Sequence, residues 1–510
     1  MDELVIRTQQ GLLQGIRQPG VRAWKGIPYA EPPIGKRRFR RPLPAQPWNG
    51  IRQADVSGPL APQPVDPSGG IFGLKRGEIP QSEDCLYLNV WAPDAVTDKP
   101  LPVMVWIHGG AFVTGGGGLP IYDGSQLAHR GGLIVVSISY RLGALGFTHM
   151  GTYSDGSEDG YVSNAGLLDQ IAALEWVQNN IESFGGDPRQ VTVFGESAGS
   201  MSIAALLAMP AAKGLFGRAI MQSGASQAIS SEQGSYLARK LLDSLGVSQD
   251  NLDTLASLKT EDILTAGNKL KQAAGASAIM LFQPVIDGKE LPLDPLECVA
   301  RGSAAGIEVI IGTNREEGAL FIQDGMPLLS GDMNAKAYAA VTGEPEAATW
   351  IRDYPETVDG QRQAMTELYF WRSALKFAEA QRKYAPVWMY RFDFALVPGH
   401  RVLGTAFHSA EIPFVLGNLG LLASAGLPID PGAEAVAIIM QDAWAAFAKS
   451  GNPSTEHLDW PSYGGDKRWT MLFGKESARV SDPESGKRQR ILAGTNRGLY
   501  GHHDMDSESL

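Results

Sequence analysis

Val191-Thr192-Val193-Phe194-Gly195-Glu196-Ser197-Ala198-Gly199 reads as a strand that runs straight into a turn, and a helix-favouring stretch follows over 200–208. Apolar and β-branched residues favour the strand. The glycines at 195 and 199 bracket a serine in the spacing G-x-S-x-G. In that pattern a strand turns so sharply into a helix that the serine sits on a strained turn with its Oγ exposed. The glycines remove side chains that would collide with strand and helix. The helix N-terminus aims partial positive charge at the place where negative charge develops in a reaction. Five common residues say little by themselves. Their place between a strand and a helix gives them weight over the plain alternative, a serine tolerated in a turn.

Outward from this turn the chain alternates in type. Strand-like runs occur at Leu86–Trp91, Val103–Ile107, Leu133–Ile138 and Ile307–Ile311. Continuous apolar runs bounded by Gly and Pro fit strands buried on both faces. Residues 164–184 carry Leu167, Leu168, Ile171, Leu174, Trp176, Val177 and Ile181 at helical spacing, and the helix stops at Phe184-Gly185-Gly186-Asp187-Pro188. The expected fold class is α/β, a mostly parallel sheet with helices on both faces. Residues 230–280 read as a helical and loop-rich insertion, and 433–448 as an amphipathic helix. Residues 57–82, rich in Pro and Gly, read as a long surface loop. No linker separates domains, so 1–498 is expected to be one domain and 499–510 a polar, frayed tail.

Composition narrows the function. The chain has 510 residues, 44% of them hydrophobic, and 60 glycines, which suits a globular protein with a large core and many tight turns. Lys plus Arg is 44 and Asp plus Glu 55, a formal net charge of −11. Such a chain repels phosphate backbones, so nucleic acid is not the expected partner. The basic stretch Lys36-Arg37-Arg38-Phe39-Arg40-Arg41 is expected to be a solvated or ion-paired surface. No apolar run is long enough to span a membrane. The N-terminus has no basic segment followed by an apolar one. Cys85 and Cys298 are too few for a disulfide framework or a zinc ribbon. Buried free thiols and a cytoplasmic location are the expectation. Nothing in the sequence fixes an oligomeric state.

The run Val103–Ile107 ends in His108-Gly109-Gly110-Ala111, which fits a loop whose backbone N–H groups hold an oxyanion. The N–H of Ala198, next after the serine, offers another donor. The run Gly115–Gly118 lacks the Gly-Lys-Ser/Thr ending of a phosphate loop, so nucleotide binding is not expected. A structural role fits His108, at a strand end. A serine nucleophile needs a base and an acid, and on this layout the chain order is Ser, acid, His. His400, His408, His457, His502 and His503 follow Ser197. The last two lie in the polar tail and His457 in a Pro- and Thr-rich loop. His400 and His408 remain, and the loop context Ala406–Phe414 favours His408. The acid should follow Ile307–Ile311, where Glu316 and Glu317 are adjacent. Composition does not choose between them.

The chain resembles the type-B carboxylesterases, the α/β-hydrolase family that includes bacterial para-nitrobenzyl esterases and cholinesterases. The resemblance runs from Gly26-Ile27-Pro28-Tyr29-Ala30 to Trp444 and Asn452-Pro453. It is carried above all by Ser82-Glu83-Asp84-Cys85-Leu86-Tyr87-Leu88-Asn89-Val90, Phe184-Gly185-Gly186-Asp187-Pro188 and Gly195-Glu196-Ser197-Ala198-Gly199. It implies an α/β-hydrolase fold with insertions forming an active-site gorge. It further implies Glu317 as the acid, His408 as the base, Gly110, Ala111 and Ala198 as oxyanion donors, and Phe321 as an acyl-pocket aromatic. It implies neither metal nor cofactor. Residues 53–84 contain neither the Cys nor the Trp that cholinesterases carry there. The cation-stacking face is therefore missing, and choline esters are not expected. The expected activity is hydrolysis of small neutral carboxylic esters through an acyl-enzyme. Amide or carbamate hydrolysis by the same triad is the alternative. A non-catalytic binding module is disfavoured because all three triad positions are filled.

Overall fold

The apolar runs assemble an eleven-stranded sheet in this computed structural model, which describes residues 3–64, 79–95, 99–157, 159–274, 280–335 and 351–492. In chain order the strands are β1 (Ile16–Gln18), β2 (Val21–Pro28), β3 (Tyr87–Pro93), β4 (Leu101–Ile107), β5 (Ile134–Ile138), β6 (Gly186–Glu196), β7 (Arg218–Gln222), β8 (Glu308–Asn314), β9 (Val387–Phe392), β10 (Trp469–Phe473) and β11 (Ala478–Ser481). Their spatial order is β11-β10-β9-β8-β7-β6-β4-β5-β3-β2-β1. Strands β5, β4, β6, β7, β8, β9 and β10 pair in parallel. Antiparallel strands close both edges, β3, β2 and β1 on one side and β11 on the other. The α/β-hydrolase expectation holds.

The parallel strands are buried on both faces because alternate side chains enter two separate cores. Val103, Val105, Ile107, Val191, Val193, Ala219, Met221, Val309 and Ile311 belong to one. Met104, Trp106, Phe194, Ile220 and Ile310 belong to the other. This period-two division explains why the strands read as continuous apolar runs. The helix Ala165–Asn180 contributes Leu167, Leu168, Ile171 and Leu174 to the first core; Ala433–Ser450 contributes Val436, Met440, Trp444 and Phe447 to the second. The helix Ala165–Asn180 runs on into a 3₁₀ turn, Ile181–Phe184, and Gly185 terminates it at φ 90°.

Strands β6 and β8 outrun their apolar segments. β8 continues through the polar residues Gly312-Thr313-Asn314, because these pair in register with Tyr390-Arg391-Phe392 of β9. The stretch 57–82 is only partly a surface loop. Leu60, Ala61 and Gln63 are buried, and the Gln63 side chain bonds both the N–H and the C=O of Gly115. Residues 65–78 of that stretch lie outside the described residues, as does the tail 499–510. The insertion 230–280 contains helices Ser231–Leu245 and Thr260–Ala274. The basic stretch is ion-paired, Arg37 to Glu31, Arg38 to Glu83 and Arg41 to Glu290, but Arg38 is buried rather than solvated. Both cysteines are free and buried.

Candidate active site

The sheet delivers its chemistry at the carboxyl ends of the parallel strands, where chain reversals leave groups uncovered. β6 ends at Glu196, and Ser197 follows at φ 54°, ψ −122°, before the helix Ala198–Ala208 begins. A non-glycine residue at that φ is strained and persists only where its surroundings impose it. Here the imposing neighbour is β4. A Cβ at Gly195 would stand 2.6 Å from the carbonyl oxygen of Ile107, and one at Gly199 would stand 2.0 Å from the same atom. Both glycines are demanded by this crossing, so the serine is lifted to the rim.

The turn after β4 lies against the serine. A Cβ at Gly109 would meet the Glu196 carbonyl at 2.7 Å and the Ser197 Cβ at 3.1 Å. Gly110 (φ 111°) and Ala111 (φ 52°) both take positive φ, which turns their N–H groups out of any regular ladder. Among the described residues nothing accepts from either N–H. His108 is wholly buried, its ring stacked 4.4 Å from Tyr140. Its carbonyl accepts from the Tyr140 hydroxyl at 2.7 Å, so it braces the turn. The run Gly115–Gly118 is packed too closely to cradle a phosphate; a Cβ at Gly117 would meet Ile138 backbone at 2.7 Å.

β8 and the segment after β9 supply the other two groups. His408 Nδ1 lies 2.7 Å from Glu317 Oε2, and both residues are buried. The second oxygen of Glu317 accepts from the Asn314 N–H at 2.7 Å. Glu316 points elsewhere: its Oε2 accepts from the Ala406 N–H at 2.9 Å, tying down the loop that leads to His408. His400 caps its own loop, accepting at Nδ1 from the N–H groups of Val402 and Leu403. Phe321 lies on the imidazole, ring centroids 5.0 Å apart. The far ring nitrogen, Nε2, faces Glu196 Oε1 at 3.1 Å. Ser197 Oγ makes no hydrogen bond to the ring, so the Ser–His link is open in this structure.

The Carboxylesterase family model matches residues 2–491. The chain belongs to the carboxylesterase family. It is 47% identical over 495 residues to a para-nitrobenzyl esterase of Bacillus subtilis, covering 96% of this chain and 99% of that one. It is 34% identical over 501 residues to a phenmedipham hydrolase of Pseudarthrobacter oxydans, covering 94% and 96%. A solved PNB esterase superposes with a TM-score of 0.88 at 46% identity, covering 96% of this chain and all of that one. A Geobacillus stearothermophilus carboxylesterase superposes at 0.77 with 36% identity, covering 95% and 99%. The protein is a serine carboxylesterase, a hydrolase of carboxylic esters. No helix among the described residues is long and apolar enough to cross a membrane.

In this carboxylesterase three buried carboxyl groups surround one imidazole. Burial alone would lower the His408 pKa, but Glu196, then Glu317 and Glu411, outweigh it and hold the ring up at about 9. Burial pushes the Glu196 carboxyl well above the ordinary range; the imidazolium opposes this, and Glu411 and Glu317 add to it. Burial and then Glu317 likewise raise Glu411. Glu411 accepts from Gln222 Nε2 at 3.1 Å and from Asn314 Nδ2 at 2.6 Å. Glu196 accepts from Ser409 Oγ at 2.6 Å.

Sequence reasoning passed over Glu196, Glu411, Asn314, Gln222 and Phe370, all of which bear on His408 directly or through one partner. Two had a signal. Glu196 occupies the first variable position of G-x-S-x-G, and Glu411 follows His408 by three residues. Phe370, 4.8 Å from the His408 ring centroid, had none.

Proposed function

We propose that Ser197, His408 and Glu317 are the catalytic triad and that Gly110, Ala111 and Ala198 donate to the oxyanion. The observation that carries this reading is the buried 2.7 Å contact from Glu317 to His408, one residue away from the strained Ser197 elbow through the Glu196 contact. His408 accepts the Ser197 proton at Nε2 as Oγ attacks the ester carbonyl. Glu317 fixes the tautomer and orients the ring. The carbonyl oxygen becomes an oxyanion among the three N–H groups. The alkoxide then leaves with the proton from Nε2. Water attacks the acyl-enzyme with the same base, releasing acid and free Ser197. The steps call for neither metal nor cofactor. The open Ser–His link accords with catalytic hydrogen bonds that tighten only once substrate is bound.

The substrates in this reading are small neutral esters. Phe321 supplies an apolar wall beside the base, and aryl or benzyl esters suit it, in keeping with the para-nitrobenzyl esterase relative. Residues 53–84 lack a Trp for stacking a quaternary ammonium. The same reading takes 1–498 as one hydrolase domain and, from two buried free thiols, a cytoplasmic location. Nucleic acid has no part in it. Ser197→Ala should lower kcat on an activated aryl ester by about a millionfold, as comparable serine knockouts do, with the fold intact. Retained turnover by the pure variant would refute the assignment. An acyl- and alcohol-length ester panel locates the preferred substrate.

A further inference from the structure

The helix that covers the acid and the base is interrupted. Val358–Ala364 and Arg372–Gln381 are α-helical, and Met365–Trp371 between them is a π-helical turn. The backbone keeps helical torsions across both junctions, so this is one helix with a widened middle. Such a turn inserts residues that a regular helix would not need; it is rare, and it occurs frequently at functional sites.

Both members of the acid–base pair lean on this turn. On one side Thr366 Oγ1 accepts from the N–H of Gly318 at 3.0 Å and donates to the Arg362 carbonyl at 2.9 Å. Gly318 directly follows Glu317, and the approach is close: a Cβ on Gly318 would stand 2.2 Å from the Arg362 oxygen. On the other side Phe370 is buried against His408. The centroids of Phe370, Phe321 and His408 form a triangle with sides of 4.8, 5.0 and 5.9 Å. The two phenyl rings therefore make a corner on one side of the imidazole rather than a sandwich. Tyr369 packs edge-on against Phe370 at 4.7 Å, and its hydroxyl reaches the Met280 sulfur at 3.6 Å. The outer side of the turn is fastened too, by Glu367 to Tyr354 and Lys487, each at 2.7 Å.

The division of labour follows from geometry. Hydrogen bonds at Nδ1 and Nε2 hold the imidazole in its own plane but leave it free to tilt about the line joining them. Only contact on a ring face resists that tilt. We propose that the π-helical turn 365–371 is the positioning element of the acid–base pair: Thr366 fixes the turn that carries Glu317, and Phe370 fixes the tilt of His408. Both are positioning residues, since neither touches the reacting atoms. The inference rests on the triad reading given above.

The test uses the full-length enzyme and the variants Thr366→Val, Thr366→Ser, Phe370→Ala and Phe370→Leu. A displacement of about 1 Å at a reacting group costs about 100-fold in rate. Thr366→Val and Phe370→Ala should each lower kcat on a short-acyl aryl ester by about tenfold or more, with KM within about threefold. Loosening Glu317 from His408 removes part of what raises the imidazole pKa, so the acidic limb of kcat/KM should move to lower pH. A purely structural role would not move it. Thr366→Ser, which keeps the hydroxyl, should restore kcat, and Phe370→Leu should fall between Phe370→Ala and the parent. Fluorophosphonate labelling of Ser197 separates the two levels of argument. A parent enzyme that is not labelled at Ser197 overturns the triad reading, and this inference with it. A labelled parent whose Thr366→Val and Phe370→Ala variants label at the parental rate, with an unmoved pH limb, overturns this inference alone. So does a Thr366→Ser variant as slow as Thr366→Val.

Discussion

His408 Nε2 lies 3.1 Å from Glu196 Oε1, a carboxyl oxygen on the residue immediately before Ser197. The nitrogen proposed above to take the Ser197 proton therefore faces a buried acid. Glu196 heads the charges that raise the imidazole pKa, so it holds the His408 ring protonated over a wider pH range. Removing that charge by Glu196→Gln should move the acidic limb of kcat/KM to lower pH, by about one unit, the lower end for loss of a near opposite charge. The sign is fixed: an imidazole with a lower pKa becomes neutral, and competent as a base, at lower pH. A limb that stays in place or moves upward would show that Glu196 does not charge the resting base.

Glu316 and Glu317 are adjacent in sequence but face different partners, and their amides should separate them. Glu317→Gln leaves a group that cannot hold the imidazole in the required tautomer. Carboxylate-to-amide changes of this kind cost about 10⁴ in kcat in another serine hydrolase. Glu316→Gln weakens a hydrogen bond from the Ala406 N–H and an exposed ion pair with Arg315 on a half-exposed side chain, and kcat should stay within about threefold. Steady-state kinetics on one aryl ester decides it. Equal losses in both variants would remove the ground for choosing Glu317, and a larger loss in Glu316→Gln would reverse the choice.

What the sequence discloses and what it hides divide along physical lines. The elbow is legible because strand, glycines, serine and helix are contiguous, and β4 demands both glycines through backbone atoms that any side chain would meet. His408 is legible in part: chain order leaves five histidines after Ser197, and local context narrows them to His400 and His408 and favours His408. The choice of Glu317 over Glu316 is not, because it depends on how β8 ends, and β8 runs on through Gly312–Asn314 only because β9 lies beside it. Glu411 is hidden for a related reason: its partners Gln222 and Asn314 sit on β7 and β8, far away in the chain. The widened turn at 365–371 has no sequence pattern of its own, since Met365–Trp371 would suit a regular helix equally well. Arg38 carries no mark in sequence that separates it from its basic neighbours, because its partner Glu83 is 45 residues away and meets it only in the interior.

Gly109 tests whether the turn after β4 is shaped around the serine. A methyl group there would meet the Glu196 carbonyl and Oε2 at 2.7 Å and the Ser197 Cβ at 3.1 Å. Two of these contacts are below any normal carbon–oxygen separation, and one is to backbone, so the strand end or the nucleophile must shift. Gly109→Ala should therefore cost about 100-fold in kcat while the protein stays folded by circular dichroism. Wild-type kcat in a folded variant would mean that the turn and the elbow yield independently, and the oxyanion assignment to Gly110 and Ala111 would lose its geometric support.

Arg38 makes the complementary prediction, a change that alters stability and spares chemistry. Its guanidinium bonds both oxygens of Glu83, at 2.7 and 2.6 Å, and donates to the carbonyls of Leu255 and Leu258 at 2.7 Å each. The pair is buried, with both side chains less than one tenth exposed. It pins the helical insertion to the N-terminal segment across more than 200 residues of chain. Arg38→Met would strand the Glu83 carboxylate with, among the described residues, only the Thr260 hydroxyl as a side-chain donor, at 2.5 Å. Breaking one half of a buried pair costs about 3–5 kcal/mol. Replacing both halves, Arg38→Met with Glu83→Leu, should recover much of that loss, because the uncompensated charge is gone. The readouts are the urea midpoint and the rate of proteolysis within 230–280, taken beside kcat per folded molecule. A single variant as stable as the parent would show that the insertion is held by its apolar contacts and not by this ion pair.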